Sequence, residues 1–287
     1  MATVVRLTLA EVNQLVRSTL AVAGLHEASR VAMADTITAA ERDGCKSHGL
    51  FRLPHIFDGI KLGKVDTSSE PVVHDTAPGA VLVDAKRGMS PLAFKAGFPL
   101  LVEKAKANGV AAMTLVDVMH YSALWHEVEA LADEGLVGMA FLTTKSFMAH
   151  HGGQSKIYGT NPMSFAFPRE NAPHLIWDQA TAMMARGDIS LHGQQGKTLP
   201  DGCGVGPDGQ PSNDPAAVLA GAQLPYAQHK GTAIALMIEL LAVGMTGEIC
   251  RVLTSFSLAS LSYIRSAHLL IFASLRSYCV LFVPQQM

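Results

Sequence analysis

Charge is in short supply along this chain. Asp, Glu, Lys and Arg make up 16% of its 287 residues and nearly cancel, leaving a formal net charge of −2. No global basic field exists to attract nucleic acid or an anionic membrane, so neither is expected as a partner. Cysteine is sparse too: Cys45, Cys203, Cys250 and Cys279 are far apart and form no C-x-x-C pair. That pattern suits a reducing cytosol better than a disulfide framework or a zinc site. The first residues, MATVVRLTLAEVNQL, lack the basic-then-apolar layout of a secretory signal, so a cytoplasmic location is expected. No G-x-S-x-G elbow occurs, which disfavours hydrolysis by a serine nucleophile.

What is present reads first as helix. Thr8-Leu9-Ala10-Glu11 is a capping box that opens an apolar-periodic stretch toward Gly24. A second helix is expected from about Glu27 to Asp43 with Gly44 as its stop, and Pro54 restarts a shorter one ending near Gly63. "PVVHD" and "AVLVDA", separated by Ala77-Pro78-Gly79, predict a hairpin. Helix returns over Pro91–Asn108, and the strand-like "VAAMTLVDV" follows. Beyond it come a helix around Ala123–Glu134, strands around Val137–Thr143 and His174–Trp177, and a strong helix after Gly231. The fold class is therefore mixed α/β, with a helical N-terminal part and a mixed-sheet part beginning near residue 110.

The last forty residues do not match the rest. After Glu248 there is no Gly, Asp, Glu, Lys or Asn, but there are seven serines among Leu, Phe, Ile and Tyr. Arg251, Arg265 and Arg276 interrupt any charge-free membrane-length span. A break this abrupt looks like a shifted reading frame. The bland reading is a genuine amphipathic C-terminal hairpin.

Several motifs compete for the chemistry. "GVGPDG" (Gly204, Gly206, Gly209) fits the dinucleotide fingerprint G-x-G-x-x-G in letters only. No strand precedes it and "QPSNDP" follows where a helix is needed, so it reads as a surface loop. "AQHKG" places Lys230 at a helix N-terminus, where the macrodipole disfavours a cation. A phosphate there would accept free N–H groups and pair with His229 and Lys230; a solvated lysine is the equal alternative. In "YGTNPMSFAFPR", Thr160 sits in turn chemistry that can present a hydroxyl to a small ligand. The adjacent His150 and His151 point opposite ways on an extended chain, with no further ligand at metal spacing. In "MHYSALW", His120 is a possible acid/base, and Tyr121 and Trp125 either flank a flat ring or simply pack. The densest constellation is "RDGCKSHGLFRLP". If the turn after Gly44 is helix-like, His48 and Arg52, four apart, project together. Arginine grips a carboxylate in bidentate fashion, histidine moves a proton near neutrality, and Ser47 can orient or relay for it. On spacing alone a capped interhelical turn stays ahead of that reading.

"AERDGCKSHGLFRLP", "GTNPMSFAFP", "WDQATAMMARGDI" and "HKGTAIALMIELLA" together resemble the malate/L-lactate dehydrogenase type-2 family of NAD(P)-dependent oxidoreductases. Within it, "SHGLFRLP" combined with "SALW" resembles the Δ1-piperideine-2-carboxylate/Δ1-pyrroline-2-carboxylate reductases. The similarity runs from the first helix to about Gly247. It implies a non-Rossmann nicotinamide domain built on a mainly antiparallel sheet, with helical substrate-binding and dimerisation parts. On this basis residues 1–117 form the helical region with a small hairpin, 118–248 the cofactor domain, and 249–287 a tail foreign to the family. The resemblance implies Ser47 as relay and His48 as proton donor, with Arg52 and Thr160 on substrate. Cofactor contacts fall on Tyr121, Ser122, Ala123, Leu124 and Trp125, on Asp178, Gln179 and Ala180, on Arg186 and Gly187, and on His229 and Lys230. The implied reaction is hydride transfer from NADPH, or NADH, to the C=N carbon of a cyclic 2-imino acid, by a homodimer. A 2-oxo acid reductase of malate or lactate type is the alternative, and an inactive remnant the second. Two departures stand out. Family members usually carry a glycine pair where Ala227-Gln228 stands, and a glycine-rich cofactor loop where the foreign tail begins.

Overall fold

The computed structural model describes residues 5–119 and 122–244, together with the backbone of 266–270. Helix α1 (Leu9–Val22) is opened by the expected capping box: Glu11 N–H donates to Thr8 Oγ1 at 3.2 Å, and Thr8 N–H to Glu11 Oε2 at 2.7 Å. Its buried stripe, Val12, Val16 and Leu20, repeats every fourth residue, so one face turns inward. Helix α2 (Glu27–Arg42) meets that stripe with Met33 and Ile37, and α3 (Leu53–Lys61) adds Ile56. These residues close a small helical core beside the main one.

Among the described residues the main sheet has seven strands in the order β1 (Val72–Ala77), β2 (Ala80–Asp84), β3 (Ala112–Val118), β9 (Ser266–Leu270), β4 (Gly138–Leu142), β5 (Met163–Phe167) and β6 (Leu175–Gln179). The predicted hairpin is present as β1 (Val72–Ala77) and β2 (Ala80–Asp84), paired antiparallel. It is not a separate piece of the helical region, because β2 runs parallel to β3 (Ala112–Val118) through the crossover helix α4 (Ser90–Asn108). The mixed sheet thus begins near residue 72 rather than 110, and the division expected between 117 and 118 falls inside β3. Strands β4 (Gly138–Leu142), β5 (Met163–Phe167) and β6 (Leu175–Gln179) continue the sheet antiparallel, so all pairings but one are antiparallel. Successive side chains of β4 face opposite ways. Ala140 and Leu142 join the large core under α4 and α5 (Trp125–Asp133), while Met139 and Phe141 meet α8 (His229–Glu239) on the other face.

A small lobe of α6 (Arg186–Gln194), β7 (Gly204–Val205), α7 (Pro215–Ala220) and β8 (Ala222–Gln223) surrounds Ile189, Leu199, Cys203 and Val218. The "GVGPDG" stretch is the turn leaving β7, with Gly209 N–H donating to Gly206 O and no helix following directly. The tail lies outside the described residues except for β9 (Ser266–Leu270), whose backbone pairs antiparallel with both β3 and β4.

Candidate active site

The SHG motif is shaped by local hydrogen bonds. Gly44 ends α2 at φ +73°, and the chain then makes two single 3₁₀ turns, Lys46–His48 and Leu50–Arg52, before α3. Cys45 N–H donates to Ala40 O at 2.8 Å, His48 N–H to Cys45 O at 2.9 Å, and Arg52 N–H to Gly49 O at 2.9 Å. Leu50 N–H is taken by the Glu41 carboxylate at 2.7 Å. A Cβ on Gly49 would lie 2.1 Å from that same carboxylate oxygen, so any larger residue would push the Glu41 carboxylate off Leu50 N–H.

This path sets His48 and Arg52 on one wall of a cavity of about 1060 Å³. Ser47 is buried, and its Oγ stands 3.1 Å from His48 Nδ1; Cys45 Sγ stands 3.6 Å from the same nitrogen. Burial, and then the positive charge of Arg52, push the His48 imidazole down to a pKa of about 3. The resting ring is neutral. Burial pushes the Cys45 thiol up to about 11, so it keeps its proton.

The facing wall depends on a long-range cap. Helix α5 has no capping side chain of its own; Asp178, at the end of β6, accepts the N–H of Leu124 at 2.8 Å and of Trp125 at 3.0 Å. Burial raises the Asp178 carboxyl while those two N–H groups pull it back. Glu127, wholly enclosed one turn into α5, is raised further by burial and by the Asp178 charge. Thr160 Oγ1 lies 3.1 Å from Thr144 Oγ1, and its carbonyl accepts both the N–H and the hydroxyl of Thr181. At the start of α6, Arg186 lays its guanidinium over the Phe147 ring at 4.0 Å. A Cβ on Gly187 would stand 2.9 Å from Ser47 Cβ, so glycine is what lets α6 approach the serine.

Ten of the residues expected from sequence line this one cavity: His48, Arg52, Ser122, Ala123, Leu124, Thr160, Asp178, Ala180, Arg186 and Gly187. Ser47 sits directly behind it. Four others point elsewhere. Trp125 packs under the Arg42 guanidinium at 5.6 Å, and Gln179 Nε2 donates to the Tyr226 hydroxyl at 3.3 Å. His229 and Lys230 begin α8 on an exposed surface, with the His229 ring edge-on to His151. His120 and Tyr121 lie outside the described residues. The cavity also takes in Phe51, His55, Phe147, Lys145, Lys64 and Arg87, which sequence reasoning did not single out. Phe51 and His55 flank Arg52 within one turn and were within reach of the helical period. The other four arrive from three loops, Lys145 and Phe147 from the same one, and carried no local signal. Among the described residues, no group of three or more His, Cys, Asp or Glu is placed to hold a metal.

A profile of the malate/L-lactate dehydrogenase family matches residues 7–272, nearly the whole chain. The chain belongs to the malate/L-lactate dehydrogenase family. Among family relatives, a Δ1-pyrroline-2-carboxylate/Δ1-piperideine-2-carboxylate reductase of Pseudomonas aeruginosa is 45% identical over 85% of this chain and 73% of its own length. A Δ1-pyrroline-2-carboxylate reductase of Pseudomonas fluorescens is 44% identical over 87% and 74%. The solved structure of Δ1-piperideine-2-carboxylate reductase from Pseudomonas syringae pvar. tomato superposes with a TM-score of 0.85 at 33% identity, covering 93% of this chain and 82% of that one. The family match reaches beyond Gly247, where the resemblance was expected to end, and takes in β9. Among the described residues, no helix is long and apolar enough to cross a membrane.

Proposed function

We propose that this oxidoreductase reduces cyclic 2-imino acids, Δ1-piperideine-2-carboxylate to L-pipecolate and Δ1-pyrroline-2-carboxylate to L-proline, with NADPH as donor and NADH as the alternative. One observation carries the reading: an arginine and a neutral histidine share one cavity wall, with a buried serine on the far nitrogen of the ring. That is a carboxylate grip beside a proton-handling group, and the P. aeruginosa and P. syringae relatives are named for substrates of that shape.

The cavity suits a nicotinamide cofactor on two counts. Its volume exceeds that of a small imino acid alone, and Ala123, Leu124 and Ala180 give it small apolar walls against which a flat ring can lie. Bound there, the cofactor supplies the hydride. Asp178 holds the Leu124–Trp125 backbone against that space, and Arg186 and Gly187 close its edge.

The chain's own residues do the rest. Arg52 fixes the substrate carboxylate and so orients the C=N bond. That carboxylate also offsets the Arg52 charge, the lesser of the two causes holding the His48 pKa down, while burial, the larger, stays. With Nδ1 turned to Ser47, Nε2 is the nitrogen left to hand a proton to the substrate nitrogen, while Nδ1 takes one from the Ser47 hydroxyl, which solvent restores. Thr160 adds a hydroxyl at the cavity floor. The working enzyme on this reading is a cytoplasmic homodimer, in keeping with the free thiols Cys45 and Cys203 and with the exposed apolar Leu9, Leu15 and Val22 on α1.

The test is NADPH consumption with each cyclic imine, set against pyruvate and oxaloacetate. Consumption with the imines and its loss in His48→Ala, while NADPH still binds, is the expected outcome. Turnover of the oxo acids alone would move the enzyme to the malate/lactate class, and an active His48→Ala would remove the proton donor.

A further inference from the structure

Two X–H groups, not one, converge on His48 Nδ1. Ser47 Oγ is 3.1 Å away and Cys45 Sγ 3.6 Å, the latter within reach for a thiol contact. Cys45 is held there by backbone geometry. Its N–H is tied to Ala40 O at 2.8 Å, and its carbonyl accepts the His48 N–H at 2.9 Å, so thiol and ring belong to one closed turn. A serine hydroxyl can rotate to donate or accept, and alone it leaves the imidazole free to carry its proton on either nitrogen. A protonated thiol is a poor acceptor, so beside Nδ1 its contribution is as a donor.

We infer that Cys45 is a positioning residue for His48: its S–H donates to Nδ1 and, with Ser47, holds the ring in the tautomer that carries the proton on Nε2, facing the cavity. The inference rests on His48 being the proton donor of the proposed reaction. It predicts that removing the thiol lets the Nδ1–H tautomer accumulate, with the proton turned away from the substrate. Substrate and cofactor binding are assigned to other residues, Arg52 and the cofactor walls, so the loss is expected in kcat rather than in KM. Hydrophobic burial of the thiol alone would predict no tautomer change.

The experiment uses the full chain labelled with ¹⁵N-histidine. The His48 ring resonances are identified as those lost in His48→Gln, and their Nδ1 and Nε2 shifts report the tautomer without any turnover. Wild type is expected as the Nε2–H form. Cys45→Ala is expected to show a mixture, with kcat reduced about three- to tenfold and KM for imine and cofactor changed less than twofold. Cys45→Ser puts a second hydroxyl, free to accept as well as donate, where the thiol was, and is expected to show a mixture too. A single Nε2–H tautomer in Cys45→Ala overturns the inference. Failure of the reaction itself shows separately, as an active His48→Ala or no imine turnover in wild type, and leaves the resting-state tautomer measurement to decide the role of Cys45.

Discussion

The turn before α8 sets two residues with side chains where the backbone asks for glycine. Ala227 has φ +44°, and Gln228 has φ +60° with ψ −120°, the values of the first central residue of a type II′ turn. Lys230 N–H closes that turn onto Ala227 O at 3.2 Å, so the conformation is part of how α8 begins. A Cβ at such φ and ψ costs about 1–3 kcal/mol, and glycine returns about 1 kcal/mol of it through the greater freedom of the unfolded chain. Gln228→Gly should therefore stabilise by up to about 2 kcal/mol, and Ala227→Gly by less, since the left-handed region near φ +44° is milder. Both residues are exposed, so no packing is lost with the side chains. At this chain length the gain for Gln228→Gly corresponds to a rise in Tm of up to about 3 °C. Thermal unfolding followed by circular dichroism reads it, with Gln228→Ala as control because it keeps the Cβ and the strain. A Gln228→Gly variant that melts at or below wild type, or a Gln228→Ala variant that gains as much, refutes strain as the cause.

Two further outcomes follow from the site. His48 titrates at about 3 when folded against 6.5 when exposed, so between those values the unfolded chain binds a proton that the native one does not. The contribution is fully present above pH 6.5 and is lost as pH falls toward 3, by up to about 1.4 kcal/mol per unit; urea midpoints between pH 7 and 5 should fall more steeply for wild type than for His48→Gln, and parallel slopes would contradict the neutral buried ring. Asp178→Ala removes the acceptor for two N–H groups at the start of α5 and should cost about 1–2 kcal/mol, whereas Asp178→Asn keeps a carbonyl and should cost clearly less, as chemical denaturation of the three proteins will show.

The parts of the site that could be read from the chain are those made by neighbours in sequence. Ser47, His48 and Arg52 fall within six positions, and a helix-like turn is enough to bring them to one wall. Asp178 is different in kind: its two N–H partners lie more than fifty residues earlier, and nothing around Leu124 signals that the cap comes from another strand. The start of α8 was legible as a helix N-terminus, but which surface it faces is decided by the packing of Ile238 and Ala242 against Phe141, a tertiary choice. The hairpin was visible in its turn residues; its parallel union with β3 was not, because the α4 crossover sets that direction.

The tail shows the limit most sharply. Its composition departs from everything before it, and on side-chain grounds it reads as foreign. Yet β3 and β4 do not pair with each other; each pairs with β9 along the edge it turns toward the other. Two facing edges one strand apart present rows of N–H and C=O groups whose burial without partners is costly. That demand is met by backbone, which every residue except proline carries in full, and Ser266–Leu270 contains no proline. A segment can thus fill the central slot of this sheet on extended conformation alone, whatever the origin of its side chains. Among the described residues, the strands that carry Asp178 near one end of β6 join β3 through β9, a segment whose composition gave no hint of that place.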